Sequence, residues 1–137
     1  MATFADADDV YKTVGAFLEQ ITQSDDLGPK FVASGTSFHI HYSDPEADML
    51  VDCTQTPPKV VCGEGVGEGA EIQLTMAGDD GHQFWLGRLN MTIAMAKGKV
   101  KAKGPVSKMM KLLPAMRPAF PRYTEFLQEQ GRTDLIA

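Results

Sequence analysis

The chain of 137 residues has a hydrophobic fraction of 43%, a charged fraction of 23% and a net charge of −5, values that are ordinary for a globular protein. This length suits one domain with one core, and no window approaches the roughly 18 unbroken apolar residues that a membrane span requires. The N-terminus is acidic, whereas a secretory signal would be basic and then apolar. The sequence therefore predicts a cytoplasmic protein.

The first segment of the chain has apolar residues at the spacing of an α-helix. The apolar residues that recur at helical spacing within 6–22 are Val10, Val14, Phe17, Leu18 and Ile21. The acidic residues that precede them suit a helix N-terminus. An amphipathic helix is therefore predicted, and the Gly28-Pro29 pair and its polar neighbours are expected to end it.

Strand-like segments follow at 31–43, 49–54, 60–62 and 70–76. In the first of them Phe38, Ile40 and Tyr42 alternate with His39 and His41, which is the pattern of a half-buried strand. The separators S-D-P-E-A-D and C-G-E-G-V-G-E-G are typical of loops between adjacent antiparallel strands. A meander of four short strands is predicted.

The second half predicts helices on either side of one further strand. Asp79 and Asp80 are placed to begin a short helix, and 88–96 is rich in Leu, Met and Ala, which favour helix. The segment K-G-K-V-K-A-K-G, 97–104, alternates lysines with small residues and predicts a strand. Amphipathic helices are expected from Val106 to the proline-rich 114–118, and again over 121–130.

The predicted strand 97–104, here called the lysine strand, lies within a basic block that spans 81–124. Residues 1–80 carry 15 acids and three bases, 81–124 carry nine bases and no acid, and 125–137 carry three acids and one base. One interpretation is a surface that grips phosphates, and the other is the solvated face of an edge strand that is protected against aggregation. Nucleic acid is not predicted as a partner, because the aromatic residues lie elsewhere.

The string G-R-L-N-M-T-I-A-M-A-K-G-K-V-K-A-K-G, 87–104, followed by S-K-M-M-K-L-L, resembles the C-terminal signature of the sterol carrier protein-2 family. The positions that match the family pattern are Gly87, Leu89, Ala94, Gly98, Lys99, Val100, Lys101, Lys103 and Gly104. The order of elements over 6–115 is also similar. The resemblance implies a single α/β (α+β) domain over 1–137, with a five-stranded, mostly antiparallel sheet covered by helices and an apolar tunnel between them.

The same resemblance implies binding of sterol, fatty acid, fatty acyl-CoA or phospholipid without catalysis and without a cofactor. Small residues on the inner face of the lysine strand leave volume beside the sheet, and flexible Met side chains suit ligands of varied shape. The predicted tunnel wall consists of Phe84, Leu86, Met91, Ile93, Met95, Val100, Ala102, Met109, Met110 and Leu113, with Met116 and Phe120 as a lid. For each residue taken alone, ordinary core packing is the alternative.

The basic block predicts transient contact with anionic membranes. Its docking residues would be Lys97, Lys99, Lys101, Lys103, Lys108 and Lys111. The chain departs from the family pattern in ending D-L-I-A rather than in an S-K-L-type address, so a peroxisomal location is not predicted. The extension 114–137 is expected to cap the tunnel, to reshape its mouth or to form a contact in a homodimer.

An enzyme is not predicted, because no nucleophile elbow, phosphate loop, dinucleotide fingerprint or HExxH motif occurs. His39 and His41 share a strand face, but two ligands without a third predict no metal site, so solvent-facing histidines are expected. His82 is interpreted as a surface residue, and Cys53 and Cys62 as small buried thiols. The alternative to a lipid carrier is an accessory module that presents a lipid-like substrate to a partner enzyme.

Overall fold

The computed structural model describes residues 3–136, which form one five-stranded sheet and helices packed against it. The strands are β1 (Ser37–Ser43), β2 (Ala47–Asp52), β3 (Lys59–Cys62), β4 (Ile72–Ala77) and β5 (Val100–Lys103). The α-helices are α1 (Ala7–Val10), α2 (Ala16–Thr22), α3 (Gly28–Ser34), α4 (Gly78–Trp85), α5 (Met91–Ala96), α6 (Val106–Leu112) and α7 (Ala119–Glu129). A π-helical turn, Tyr11–Gly15, joins α1 to α2, and 3-10 turns lie at Leu113–Met116 and Thr133–Leu135.

The predicted N-terminal helix is confirmed as the continuous run of α1, the π-helical turn and α2. The Asp6 side chain accepts a hydrogen bond from the Asp9 backbone N–H at 2.9 Å and so caps the first turn. All five residues of the predicted apolar face are at most 1% exposed. The amphipathic pattern therefore identified the buried side of this helix correctly.

The strand predicted over 31–43 begins later than expected, because the chain first forms α3. Pro29 occupies the first turn of α3, where its missing N–H removes no helical hydrogen bond. Gly35 ends the helix with a φ of 61°, a conformation that glycine adopts without steric penalty. The Gly28-Pro29 pair thus starts a second helix, and β1 begins only at Ser37.

The strand order is β3-β2-β1-β4-β5, with β1 and β4 parallel and the other three pairs antiparallel. The five-stranded, mostly antiparallel sheet is therefore confirmed. The simple meander is wrong, because the glycine-rich loop after β3 leads not to a neighbour of β3 but to β4, beside β1. Loop composition identifies a turn but does not reveal which strand pairs next.

The register divides the sheet into two faces. The inner face is apolar, and its most buried members are Phe38, Tyr42, Ala47, Met49, Val51, Ile72, Leu74, Met76 and Val100. The outer face alternates with it and carries His39, His41, Asp48, Thr75 and Lys101. The core lies between the inner face and the helices.

The lysine strand is shorter than predicted. Only Val100–Lys103 pairs with β4, while Lys97 follows the last turn of α5 and Lys99 lies in the connection to β5. The Asn90 side chain caps the start of α5 by accepting from the Ile93 N–H at 3.0 Å. At the other end, the Lys97 N–H donates to the Ile93 carbonyl at 3.0 Å, so the helical hydrogen bonds reach the first of these lysines. An alternating sequence at a helix end can thus resemble a longer strand.

The C-terminal segment packs back onto the body of the protein. Tyr123 and Leu127 in α7 are fully buried. Arg122 forms a bidentate ion pair with Asp26, and the Arg132 guanidinium lies 2.7 Å from the Asp9 carboxylate. The Arg122 pair fastens α7 to the segment after α2, and the Arg132 pair fastens the segment after α7 to α1.

None of the helices formed by residues 3–136 is both long enough and apolar enough to cross a lipid bilayer.

Candidate functional site

An apolar cavity of about 80 Å³ lies between the inner face of the sheet and the helices. β1, β2 and β4 form its floor, and α2 to α6 with the 3-10 turn after α6 form its walls. The lining residues are Leu18, Phe31, Phe38, Ile40, Tyr42, Val51, Leu74, Met76, Gly81, Phe84, Trp85, Met91, Met109, Leu112, Leu113 and Met116. The cavity therefore adjoins the core, and Ile40, Phe84 and Leu113 in its lining are half-buried.

The chemistry of the lining is almost entirely apolar. Among these residues only Tyr42 and Trp85 carry polar side-chain atoms. Burial raises the pKa of the Tyr42 hydroxyl, so this group stays neutral at physiological pH. The cavity offers dispersion contacts and holds no charged group, which suits the apolar part of a ligand.

Aromatic contacts hold α4 in place as one wall. Trp85 packs edge-on against Phe17 of α2, with ring centroids 5.5 Å apart, and against Phe84 at 5.0 Å. Gly81 faces Tyr42 so closely that an added Cβ would overlap the Tyr42 ring. Asp79 and Asp80 lie in the first turn of α4, as predicted. The sequence of α4 thus combines a charged start with a small residue where helix and sheet touch.

Four of the predicted wall residues line the cavity, namely Phe84, Met91, Met109 and Leu113, and so does Met116, which was predicted as part of the lid. Val100 and Ala102 lie on the inner face opposite Met76 and Leu74, beside the cavity rather than in its lining. The half-buried Leu86, Met95, Met110 and Phe120 pack against the core around it.

Ile93 differs from the prediction, because 52% of its side chain is exposed. In α5 the buried positions are Met91 and Ala94, three residues apart, and Ile93 lies on the opposite side of this short helix. It therefore does not contribute to the cavity in the described structure.

The prediction missed the sheet half of the lining and the contributions of Leu18 and Phe31. The signal for the sheet was present, since Phe38, Ile40 and Tyr42 alternate with polar residues, as do Leu74 and Met76. Phe31 was assigned to a strand, although α3 turns it into the cavity wall. The sequence pattern of a buried strand face is the same for ordinary core packing and for a cavity lining. Only the distance between the sheet and the helices distinguishes the two.

The lysines of the basic block lie at several places along one edge of the sheet. Lys101 and Lys103 point from the outer face of β5, an edge strand, and Lys97 and Lys99 are exposed before it. On α6, Lys111 is exposed, and the Lys108 ammonium lies 3.0 Å from the Glu71 carboxylate. Both interpretations of the lysine face, membrane contact and a protected edge, fit these positions.

His82 is not a surface residue, because only 2% of it is exposed. α7 and the C-terminal turn cover it, and its two ring nitrogens lie 2.8 Å from the Tyr123 hydroxyl and 2.7 Å from the Leu135 carbonyl oxygen. Burial lowers its pKa. The residues next to His82 in the sequence suggested that it is exposed. The residues that cover it, Tyr123 and Leu135, lie 41 and 53 positions further along the chain.

His39 and His41 are also more enclosed than expected, since their side chains are 17% and 31% exposed. Both contact the Asp48 carboxylate. Burial raises the pKa of Asp48, but hydrogen bonding to His41 and His39 outweighs it and keeps this pKa below the usual value. Both histidines thus lie on the outer, solvent side of the sheet, as expected, although they are partly covered. Asp48 is the partner that spacing along one strand could not reveal.

Both cysteines are free thiols. Cys53 is buried, as predicted, whereas Cys62 is only half-buried. Burial raises the pKa of Cys53 to about 11 and also raises the pKa of Cys62. Neither thiol is activated as a nucleophile.

No protein-family model matches the sequence, and no curated protein matches it. Solved structures do match. The apo form of sterol carrier protein 2 from Yarrowia lipolytica is 20% identical, with a TM-score of 0.62 over 82% of this chain and 91% of that one. The sterol carrier protein domain 2 of Helicoverpa armigera is 20% identical, with a TM-score of 0.64 over 82% and 88%.

A third similar structure is UbiJ-SCP2, a ubiquinone synthesis protein. It is 10% identical, with a TM-score of 0.56 over 82% of this chain and 89% of that one. At such identities the likeness concerns the fold. Together with the five-stranded sheet and its helical cover, these matches show that the chain has the fold of the sterol carrier protein-2 domains.

Proposed function

We propose that the protein binds the apolar part of a lipid, such as a fatty acyl chain or a sterol, between the sheet and the helices, without catalysing a reaction. The observation that carries this proposal is the cavity, whose lining holds no charged side chain. Similarity to sterol carrier folds supports it. Burying apolar ligand surface at about 25 cal/mol per Å² supplies the driving force.

Ligand uptake requires the cavity to grow. Its volume of about 80 Å³ is far below the roughly 300 to 1,000 Å³ of pockets that hold larger ligands. Four methionines, Met76, Met91, Met109 and Met116, line it. Their unbranched side chains can change rotamer at little energetic cost, so the same lining can adapt to ligands of different shape.

Met116 and Phe120 would act as the lid of the enlarged tunnel. Met116 is 2% exposed and lines the cavity from the 3-10 turn. Phe120 packs edge-on against Phe84, another lining residue, with ring centroids 5.5 Å apart. The extension 114–137 would therefore support one wall of the binding site.

Two neighbouring methionines of α6 allow a matched test. Met109 lines the cavity, whereas Met110, the next residue, is half-buried outside it. We expect Met109→Trp to lower the affinity for a fluorescent fatty acid at least tenfold by filling the cavity, and Met110→Trp to have a much smaller effect. Equal effects of the two variants, or no uptake by the unmodified protein, would contradict binding in this cavity.

The alternative function is an accessory module that presents a lipid-like substrate to a partner enzyme. The similarity to UbiJ-SCP2, a ubiquinone synthesis protein, favours it. Transfer of labelled lipid between vesicles by the purified protein would support a carrier. Binding of the same lipid without transfer would support the accessory role. The cytoplasmic location, the homodimer and the extent of the single domain stay predictions.

A further inference from the structure

The outer face of the sheet carries a cluster of polar side chains on the side opposite the cavity. His41 of β1 is the register partner of Asp48 of β2, and His39 lies two residues before His41 on the same face. His39 Nε2 lies 2.7 Å and His41 Nδ1 lies 2.8 Å from the same Asp48 Oδ1 atom. One ligand atom from each of the three residues lies within 4.8 Å of the others.

The surroundings of His39 determine which of its ring nitrogens carries the hydrogen. The Gln73 Nε2 group donates to the backbone carbonyls of Gly67 and Ala70, at 3.2 and 3.0 Å. Gln73 therefore presents its Oε1 acceptor to His39 Nδ1, at 2.5 Å. Since Nδ1–H donates there, a neutral His39 would direct the lone pair of Nε2 at the Asp48 carboxylate.

His41 also has an acceptor opposite each of its two ring nitrogens. Its Nδ1 faces Asp48, and its Nε2 lies 2.9 Å from the Glu46 Oε2 atom. Both partners are acceptors, and a neutral imidazole has one N–H to offer. Two neutral rings would thus offer two N–H groups to four acceptor contacts, so satisfying all four contacts calls for two further positive charges.

We propose that His39 Nε2, His41 Nδ1 and Asp48 Oδ1 bind one divalent transition-metal ion, of which Zn²⁺ is the representative. A divalent cation supplies the two missing charges at the point where the three ligand atoms converge. The other nitrogen of each histidine then donates to Gln73 or to Glu46. Metal-bound histidines commonly make such a bond to a carbonyl or a carboxylate, which fixes the ring and raises its basicity.

The ligand types select the kind of metal. Two imidazoles and one carboxylate suit borderline cations such as Zn²⁺, whereas Mg²⁺ and Ca²⁺ prefer oxygen ligands alone. Three protein ligands leave coordination positions for water. His39 and Asp48 are 17% and 19% exposed, so an ion can reach them from solvent.

The loop between β3 and β4 packs against the cluster and limits the movement of His39. Gly67 in the loop between β3 and β4 lies against the His39 ring so closely that an added Cβ would contact it at 2.5 Å. Its φ of 85° lies in the left-handed region, which favours glycine. The metal would therefore fasten β1, β2 and this glycine-rich loop together, independently of any ligand in the cavity.

Calorimetric titration of the chelator-treated full chain with Zn²⁺ tests the proposal. We expect one ion per chain with a Kd in the micromolar range or tighter. Asp48→Asn should weaken binding by about 100-fold, and Glu46→Gln by about 10-fold, because the carboxylate behind His41 orients its ring. Asp52→Asn is the matched control, since it removes the same charge from the same face of β2.

Binding that Asp48→Asn and Asp52→Asn weaken equally would overturn the site, as would no binding at all. NMR of the histidine ring nitrogens gives a second readout. Zn²⁺ should shift His39 Nε2 and His41 Nδ1 and leave the buried His82 unchanged. Resonances of two fully protonated rings that excess Zn²⁺ does not change would show that protons supply the missing charges, and would also overturn the proposal.

Discussion

His82 Nδ1 lies 2.8 Å from the hydroxyl oxygen of Tyr123, and the two residues are 41 positions apart in the chain. The other ring nitrogen, Nε2, lies 2.7 Å from the Leu135 carbonyl oxygen. Since a carbonyl only accepts, Nε2–H donates to it. Burial favours the neutral imidazole, in which Nδ1 accepts from the Tyr123 hydroxyl. The two contacts fasten α4, α7 and the C-terminal turn together.

A pH dependence of stability follows from this neutral histidine. Burial lowers the pKa of His82 below the 6.5 that it has in the unfolded chain, so below that pH the unfolded state binds more protons. His82 therefore stabilises the fold fully above about pH 6.5, and this contribution is lost as the pH falls toward the folded-state pKa. We expect urea unfolding to give a lower free energy at pH 5.5 than at pH 7.5.

The His82→Gln variant isolates that effect. It keeps a donor for Leu135 and cannot be protonated, so its stability should change less between the two pH values than that of the unmodified protein. His39 and His41 are present in both proteins and cancel in the comparison. An identical pH dependence of the two would show that His82 is not the titrating group.

Gly81→Ala should destabilise the protein by about 1 to 3 kcal/mol through overpacking. Alanine is the better helix former by about 1 kcal/mol, but its Cβ would overlap the Tyr42 ring and hydroxyl. Thermal and urea unfolding measure the change. Adding Tyr42→Phe, which removes the hydroxyl, should recover part of the loss, and a Gly81→Ala variant as stable as the unmodified protein would refute the contact.

The lysines of the edge strand can be tested with vesicles. The double variant Lys101→Gln/Lys103→Gln should weaken binding to anionic vesicles by about 30-fold, at about 1 kcal/mol for each lysine near the surface. Lys59→Gln, on the opposite edge strand, should have little effect. Vesicle binding independent of anionic lipid and of salt would leave edge protection as the role of these lysines.

Phe120→Ala should speed release of a bound fatty acid. The change removes the ring that packs against Phe84, so the lid side of the cavity loses support. Stopped-flow displacement of a fluorescent fatty acid measures the rate, for which we expect a several-fold increase. Glu129→Ala, an exposed substitution at the end of the same helix, is the control. Equal rates in both variants would mean that α7 does not govern release.

Local patterns predicted most of the elements. The N-terminal helix, the alternation in β1 and the acidic start of α4 are encoded by neighbouring residues, and each was found. Met109, which the apolar run of α6 predicted as a wall residue, lines the cavity.

Long-range relationships were not predictable in the same way. The parallel pairing of β1 with β4, the burial of His82 beneath residues near 123 and 135, and the convergence of His39 and His41 on Asp48 depend on strand register and helix docking. Periodicity within one segment contains no information about these. The sequence therefore indicated whether many side chains are buried or exposed, but not which residues they contact.

The small size of the cavity limits its cost to the stability of the fold. Unfilled core volume destabilises a fold by about 24 cal/mol per Å³, so about 80 Å³ corresponds to roughly 2 kcal/mol. A permanently open space of about 300 Å³ would correspond to roughly 7 kcal/mol, comparable with the total stability of many domains. Because methionine and aromatic side chains fill most of this interior, the fold avoids the larger loss of stability, and a ligand of the proposed kind would have to displace these side chains.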